Sequence, residues 1–176
     1  MAILVTLVIS MWAQVTATST AERALTTQVR LANEQLRHDS EQFLRQERRR
    51  AYLELVRRAR AERVTFRNAQ LFAAEHGQLP GDFGTEDVVD VYESAQAAAV
   101  DARLVGRPDT SELARQVGQL CWQVRVLAMQ LVDDPDSAGS PAWDITTRQL
   151  GERTRDFLKL GRDELLDDTV LVAARE

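Results

Sequence analysis

Residues 22–76 read ERALTTQVRLANEQLRHDSEQFLRQERRRAYLELVRRARAERVTFRNAQLFAAEH, with no glycine or proline anywhere in the run. Ala, Leu, Arg, Gln and Glu dominate it, all good helix formers, so the stretch reads as one long helix. Apolar residues recur at Leu25, Val29, Ala32, Leu36 and Phe43, with Asp39 breaking the series. That is a short heptad stripe. A second stripe runs Tyr52, Leu55, Ala59, Phe66, Ala69 and Ala73, and Gly77 supplies a C-terminal stop.

Upstream, residues 1–21 (MAILVTLVISMWAQVTATSTA) carry no charged side chain. A membrane span needs about 20 mostly apolar residues to cross ~30 Å of hydrocarbon. Met1 to Ala13 is strongly apolar and Gln14 to Ala21, rich in Thr, only weakly so, which makes the hydrophobic core short, nearer a signal-peptide h-region in length. A secretory signal would open with positive charge, yet no Lys or Arg precedes Arg23. The arginines follow the segment, which keeps that side cytoplasmic under the positive-inside rule. The expectation is a single-pass anchor, outside to inside. A cleaved signal and an apolar arm packed on protein stay open as alternatives.

Downstream, residues 77–84 (GQLPGDFG) form a turn-rich loop. Thr85 is the expected N-cap of a second helix, with Glu86 and Asp87 suiting its positive end. Val88, Val91, Tyr92, Ala95, Ala99 and Ala102 share one face, and the Ala-rich middle implies close approach to a neighbour. Gly106 and Pro108 end it. Asp109 with Glu112 resembles a capping box opening a third helix, striped by Leu113, Val117, Leu120, Val124, Leu127 and Leu131. Residues 133–140 (DDPDSAGS) are expected to be a mobile polar loop. Ser140, Pro141 and Asp144 then open a fourth helix carrying Ile145, Leu150, Phe157, Leu158 and Leu165. The apolar stretch 169–173 adds a further turn or a loose cover.

No strand-like alternation appears, so the fold class is all-α, with three or four helices packed antiparallel through short loops. At 1.5 Å per residue the first helix spans ~82 Å and the later ones ~30–45 Å. Only its second half can be covered by the others. The expected organisation is an anchor at 1–21, a projecting helical stalk at 22–48 and a bundle at 49–176.

Charge is unevenly placed. Residues 1–76 hold 12 Arg and 8 acids, whereas 77–176 hold 10 basic and 19 acidic groups, within a net −5. The arginine run Arg45, Arg48, Arg49, Arg50, Arg57, Arg58, Arg60 and Arg63 is the loudest charged feature. Glu47, Glu54 and Glu62 interleave it, stacking aromatics are few and the chain is acidic overall, which argues against nucleic acid. Arg48 lies ~40 Å along a straight helix from the apolar segment, several Debye lengths from lipid head groups. The run is expected to form an electrostatic seam against acidic faces such as Glu86–Asp90 or Asp163–Asp168, within the bundle or across an oligomer.

Little in the chain suggests catalysis. Glu34 and His38 share a helix face, but a metal site needs three or four ligands, and the Glu-x-x-His pairs of di-iron bundles are missing. His76 is placed to meet the helix dipole. Cys121 is the sole cysteine, which excludes an intrachain disulfide, and beside Trp122 it reads as a buried structural thiol. Neither a phosphate-binding glycine loop nor a nucleophile elbow is present. No catalytic residue, metal ligand or cofactor is assigned.

Three stretches, RRRAYLELVRRAR, AAAVDARLVGRPDTSELARQVGQL and RDFLKLGRDELL, carry a resemblance. The chain resembles small uncharacterised actinobacterial proteins that join an N-terminal hydrophobic segment to an arginine-rich helix and a helical bundle. The shared features fall on Tyr52–Leu55, Leu104–Pro108 and Phe157–Leu166. The resemblance implies an all-α fold and a bacterial origin, and no activity. The expected function is that of a non-enzymatic, membrane-anchored scaffold or adaptor that associates through the stalk face of Leu25, Val29, Ala32 and Leu36. An accessory subunit of a larger membrane assembly is the second expectation. A ligand-binding bundle with a cavity near Trp122 and Phe157 is the third.

Overall fold

The computed structural model describes residues 2–81 and 83–173, and the side chains of 23–81 and 83–167. The described residues are helical almost throughout. α1 spans Ala2–His76, α2 Thr85–Val105, α3 Pro108–Asp133 and α4 Ala142–Ala173, with a 3₁₀ turn at Pro135–Gly139. The chain divides into two compact units, Met1–Phe43 and Leu44–Glu176. The expected anchor at 1–21 lies outside the residues whose side chains are described. Among the described residues no helix is long and apolar enough to cross a membrane.

The second unit is a four-helix bundle whose direction alternates. Tyr52 meets Glu164 and Arg67 meets Asp144, so α4 runs against α1. Arg48 reaches Val105 and Phe66 meets Phe83, so α2 also runs against α1. The bundle takes in Leu44 to Arg48, which the sequence assigns to the stalk, because Arg48 Nε donates to the Val105 carbonyl at 2.8 Å.

The core follows heptads on three of the helices. Tyr52, Leu55, Ala59, Phe66, Ala69 and Ala73 are all buried as their spacing predicts, and Glu62 fills the gap in that stripe at 0% exposure. On α4 the buried residues include Trp143, Thr147, Leu150, Thr154, Phe157 and Glu164. Ile145, expected on the inward stripe, is 47% exposed. The inward line of α3 is Thr110, Ala114, Val117, Cys121, Val124, Ala128 and Leu131, one step round from the predicted stripe. Leu113, Leu120 and Leu127 are only partly buried and flank the core. The shift follows from close packing of α2 on α3: a Cβ on Gly118 would lie 3.2 Å from the Ala99 Cβ. Small residues occupy the centre and the leucines cover its edges.

Helix ends depart from expectation by a residue or two. Gly77 sits at φ +64°, the left-handed conformation that ends α1. Gly84, not Thr85, is the N-cap of α2; its backbone N–H donates to Asp87 Oδ2 at 2.8 Å. Arg107 caps α3 with Pro108 in the first turn. Glu112 is turned to Arg115 instead of a capping box. Residues 134–139 form an ordered turn, because Asp134 accepts from Asp136 N and Gln70 Nε2 donates to the buried Ala138 carbonyl at 2.6 Å.

Candidate functional site

In the first unit the described side chains from Arg23 to Phe43 are predominantly solvated. Leu25 is 64% exposed, Val29 54%, Leu36 66% and Phe43 61%, and Ala32 is exposed between them. Most helical stability in proteins comes from packing of an amphipathic face. Here the intrahelical ion pairs seen among the described residues are exposed, Arg30 with Glu34 at 3.6 Å and Arg37 with Glu41 at 3.1 Å. Pairs of this kind contribute about 0.2–0.5 kcal/mol each. A partner helix on the Leu25–Leu36 face would add far more, since burying one Leu stabilises by roughly 1.5–3 kcal/mol.

In the second unit the arginine run does several different things. Arg57 and Arg58 both bind Glu54 on their own helix at 2.7 Å, and these hydrogen bonds hold the Glu54 carboxyl down to about 2. Arg48 reaches Glu164 at 3.7 Å. These ion pairs of Arg48, Arg57 and Arg58 do not involve the Glu86–Asp90 face. Among the described residues the expected seam is seen where Arg48 meets Glu164, while Arg57 and Arg58 are satisfied locally and Arg49, Arg60 and Arg63 line a different surface.

That surface is a groove of ≈ 530 Å³ between α1 and α4. Leu53, Leu158 and Leu165 give it an apolar floor beside the Tyr52 ring, and Arg49, Arg155, Lys159 and Arg162 give it a cationic rim. A second depression of ≈ 530 Å³, lined by Arg60, Arg63 and Arg155, adjoins it. Among the described residues no carboxylate lines either one.

Two glutamates are buried in the bundle. Glu164 closes one end of the core, where Tyr52 Oη donates to Oε2 at 2.9 Å and the Thr110 hydroxyl donates to the same oxygen. The Arg107 backbone N–H donates to Oε1 at 3.3 Å, and the Arg48 and Arg107 guanidiniums stand 3.7 and 3.9 Å away. Burial first, then the bond to Glu164, pushes the Tyr52 hydroxyl well above its usual range.

Glu62 is the opposite case. Neither of its oxygens has a hydrogen-bond partner among the described residues. Burial pushes its carboxyl up to about 8, and the nearby Cys121 thiol offsets this only in part, from outside ordinary hydrogen-bond geometry. Burial likewise raises Cys121, and Glu62 raises it further. A thiol held protonated in this way is a poor nucleophile.

The remaining sequence candidates are scattered. His38 contacts Gln42 at 2.8 Å, while Glu34 pairs with Arg30. His76 meets the Phe72 carbonyl and stacks on its ring. Trp122 is 49% exposed under Arg125, whereas Phe157 is fully buried against Tyr52. Among the described residues no cluster of three His, Cys, Asp or Glu side chains could hold a metal ion. Sequence reasoning missed Glu62 and Glu164 as buried groups and the groove as a site. Glu62 was detectable as the missing heptad position between Ala59 and Phe66. No known protein family, curated protein or solved structure matches this chain.

Proposed function

We propose that this chain is a non-enzymatic helical scaffold, held at a membrane by residues 1–21 with its bundle in the cytoplasm, that works through helix–helix association. The observation that carries the reading is the exposed line of Leu25, Val29 and Leu36 on one face of the α1 helix. The chosen partner is a second copy, since a like helix offers the same stripe at the same register. Asp39 interrupts the stripe, so the pairing is weak alone and is strengthened by confinement in a bilayer.

Two measurements test this. Full-length protein and a chain lacking residues 1–21 are expressed and the membranes washed with carbonate; the full-length chain stays and the shorter one washes off. Full-length protein that washes off sinks the anchor. The mass of the full-length chain in non-ionic detergent is then compared with that of Leu25→Asp/Leu36→Asp. Loss of the oligomer in the variant supports the seam. An unchanged mass, or a larger assembly of different composition, points instead to an accessory subunit bound elsewhere.

A further inference from the structure

The α1/α4 groove holds more positive charge than its own fold neutralises. Arg162 meets its neighbour Asp163 at 3.5 Å. Arg155 Nε donates to the Gly151 carbonyl at 3.2 Å, which satisfies a donor without cancelling a charge. Among the described residues no carboxylate comes within ion-pairing distance of Arg49, Arg155 or Lys159. Between these cations the floor is apolar and open, with Leu53 54% exposed. An occupant must therefore be both acidic and apolar along one face.

The outer face of α2 has that composition. Glu86, Asp87, Asp90, Glu93 and Asp101 are all exposed. Between and beyond them Ala97, Val100 and Leu104 follow Glu93 at spacings of four, three and four, which places them on one line of the helix. Val100 is 41% exposed and Leu104 78%. The one basic residue of α2, Arg103, already acts on Glu112.

The two surfaces cannot meet within one molecule. α2 packs on α3 and α3 on α4, while α1 borders both α2 and α4. This leaves α2 and α4 diagonal across the bundle, with α2's outer face turned from the groove. We propose that the α1/α4 groove seats the outer face of α2 from a second copy of this chain. Such a contact is heterologous, joining two different patches. It generates a ring or an open filament, according to whether its rotation closes. It is also separate from the Leu25–Leu36 pairing and adds a second direction of assembly. Charge complementarity makes it salt-sensitive.

The test uses the full-length chain carrying Leu25→Asp/Leu36→Asp, so that seam pairing does not contribute. It is examined by sedimentation velocity in non-ionic detergent at about 50 mM and about 500 mM salt, a range over which exposed charges become screened. A groove variant, Arg155→Glu/Lys159→Glu, and a helix variant, Asp90→Lys/Glu93→Lys, alter exposed side chains only, and circular dichroism checks their fold. The parent is expected to assemble at low salt and dissociate at high salt. Each variant alone is expected to associate about tenfold more weakly or worse. Mixing the two restores a one-to-one pair, because each supplies the surface the other lacks.

A parent that stays monomeric at both salts overturns the proposal. So do a groove variant that assembles like the parent and a mixture that does not pair. Sodium laurate, added as a probe of the alternative occupant, is expected not to bind below its micellar concentration. Laurate binding that Arg155→Glu/Lys159→Glu abolishes, in a chain that does not self-assemble, would assign the groove to anionic single-chain amphiphiles instead.

Discussion

Tyr52 and Glu164, on α1 and α4, share a hydrogen bond of 2.9 Å in which the phenol donates and the carboxylate accepts. Both residues are buried, at 3% and 5% exposure. The bond matters because Glu164 also accepts from Thr110 and from the Arg107 backbone, with Arg48 and Arg107 close by. One carboxylate thus ties α1, α3 and α4 together where α2 ends.

Glu164→Ala is expected to cost about 3–5 kcal/mol, because it strands the buried Tyr52 and Thr110 hydroxyls and removes the carboxylate that Arg48 and Arg107 both face. Tyr52→Phe removes one donor and leaves Glu164 its other partners, so about 1–2 kcal/mol is expected. Chemical denaturation of the full-length chain measures both. A Glu164→Ala loss no larger than that of Tyr52→Phe would show that the hub contributes through the tyrosine alone.

Glu62 should make stability fall as pH rises. Its carboxyl is raised from 4.5 to about 8 by burial, so the folded state holds a proton that the unfolded state has released. The contribution is fully present below pH 4.5 and lost as pH climbs to about 8, with a slope approaching 1.4 kcal/mol per pH unit. Glu62→Gln removes this component. Denaturation of both proteins between pH 5 and 8 is expected to show the gap between them changing steadily. A constant gap would mean that Glu62 is hydrated in solution.

Two glycines of α4 should respond oppositely to alanine. A Cβ on Gly161 would lie 2.8 Å from the Tyr52 ring, which is pinned by Glu164 and by edge contact with Phe157. Overpacking of about 1–3 kcal/mol should exceed the helix-propensity gain of about 1 kcal/mol. At Gly151 the obstructing atom is the terminal nitrogen of Arg63, which can swing away. Gly151→Ala is expected to be neutral or stabilising by up to about 1 kcal/mol. Thermal unfolding of the pair decides; equal losses would show that Arg63 is as fixed as Tyr52.

The all-α fold and the face of α1 that enters the core were legible because the stripe from Tyr52 to Ala73 keeps its period across many turns. The centre of α3 was not. Hydrophobicity singles out Leu113, Leu120 and Leu127, but the tight α2/α3 contact puts Ala114, Cys121 and Ala128 at the middle. Volume overrode hydrophobicity there. Leu131→Ala, at 0% exposure, should therefore cost about 2–5 kcal/mol, and Leu120→Ala distinctly less. Denaturant midpoints that rank them the other way would restore the sequence stripe. Glu62 was obscured by its arginine neighbours, which suggest a solvated face. The groove was invisible for another reason: Arg49 and Arg155 are brought together only by the antiparallel packing of α1 on α4.

The stalk seam makes the sharpest demand on geometry. Leu25, Val29, Ala32 and Leu36 fall within a narrow arc at 100° per residue, and Glu34 lies on the far side of the helix. In a parallel pair, residues of the arc face their own counterparts, while those opposite point to solvent. Val29→Cys and Leu36→Cys should therefore crosslink on mild oxidation in membranes, and Glu34→Cys should not. Cys121 is first replaced by Ser, although as a fully buried thiol it would react slowly in any case. An antiparallel pair would instead need mixed positions, so joining of Val29→Cys to Leu36→Cys, with neither joining itself, would reverse the orientation. Equal yields at all three positions would mean random collision, and no product at any would remove the second copy as the partner of this face.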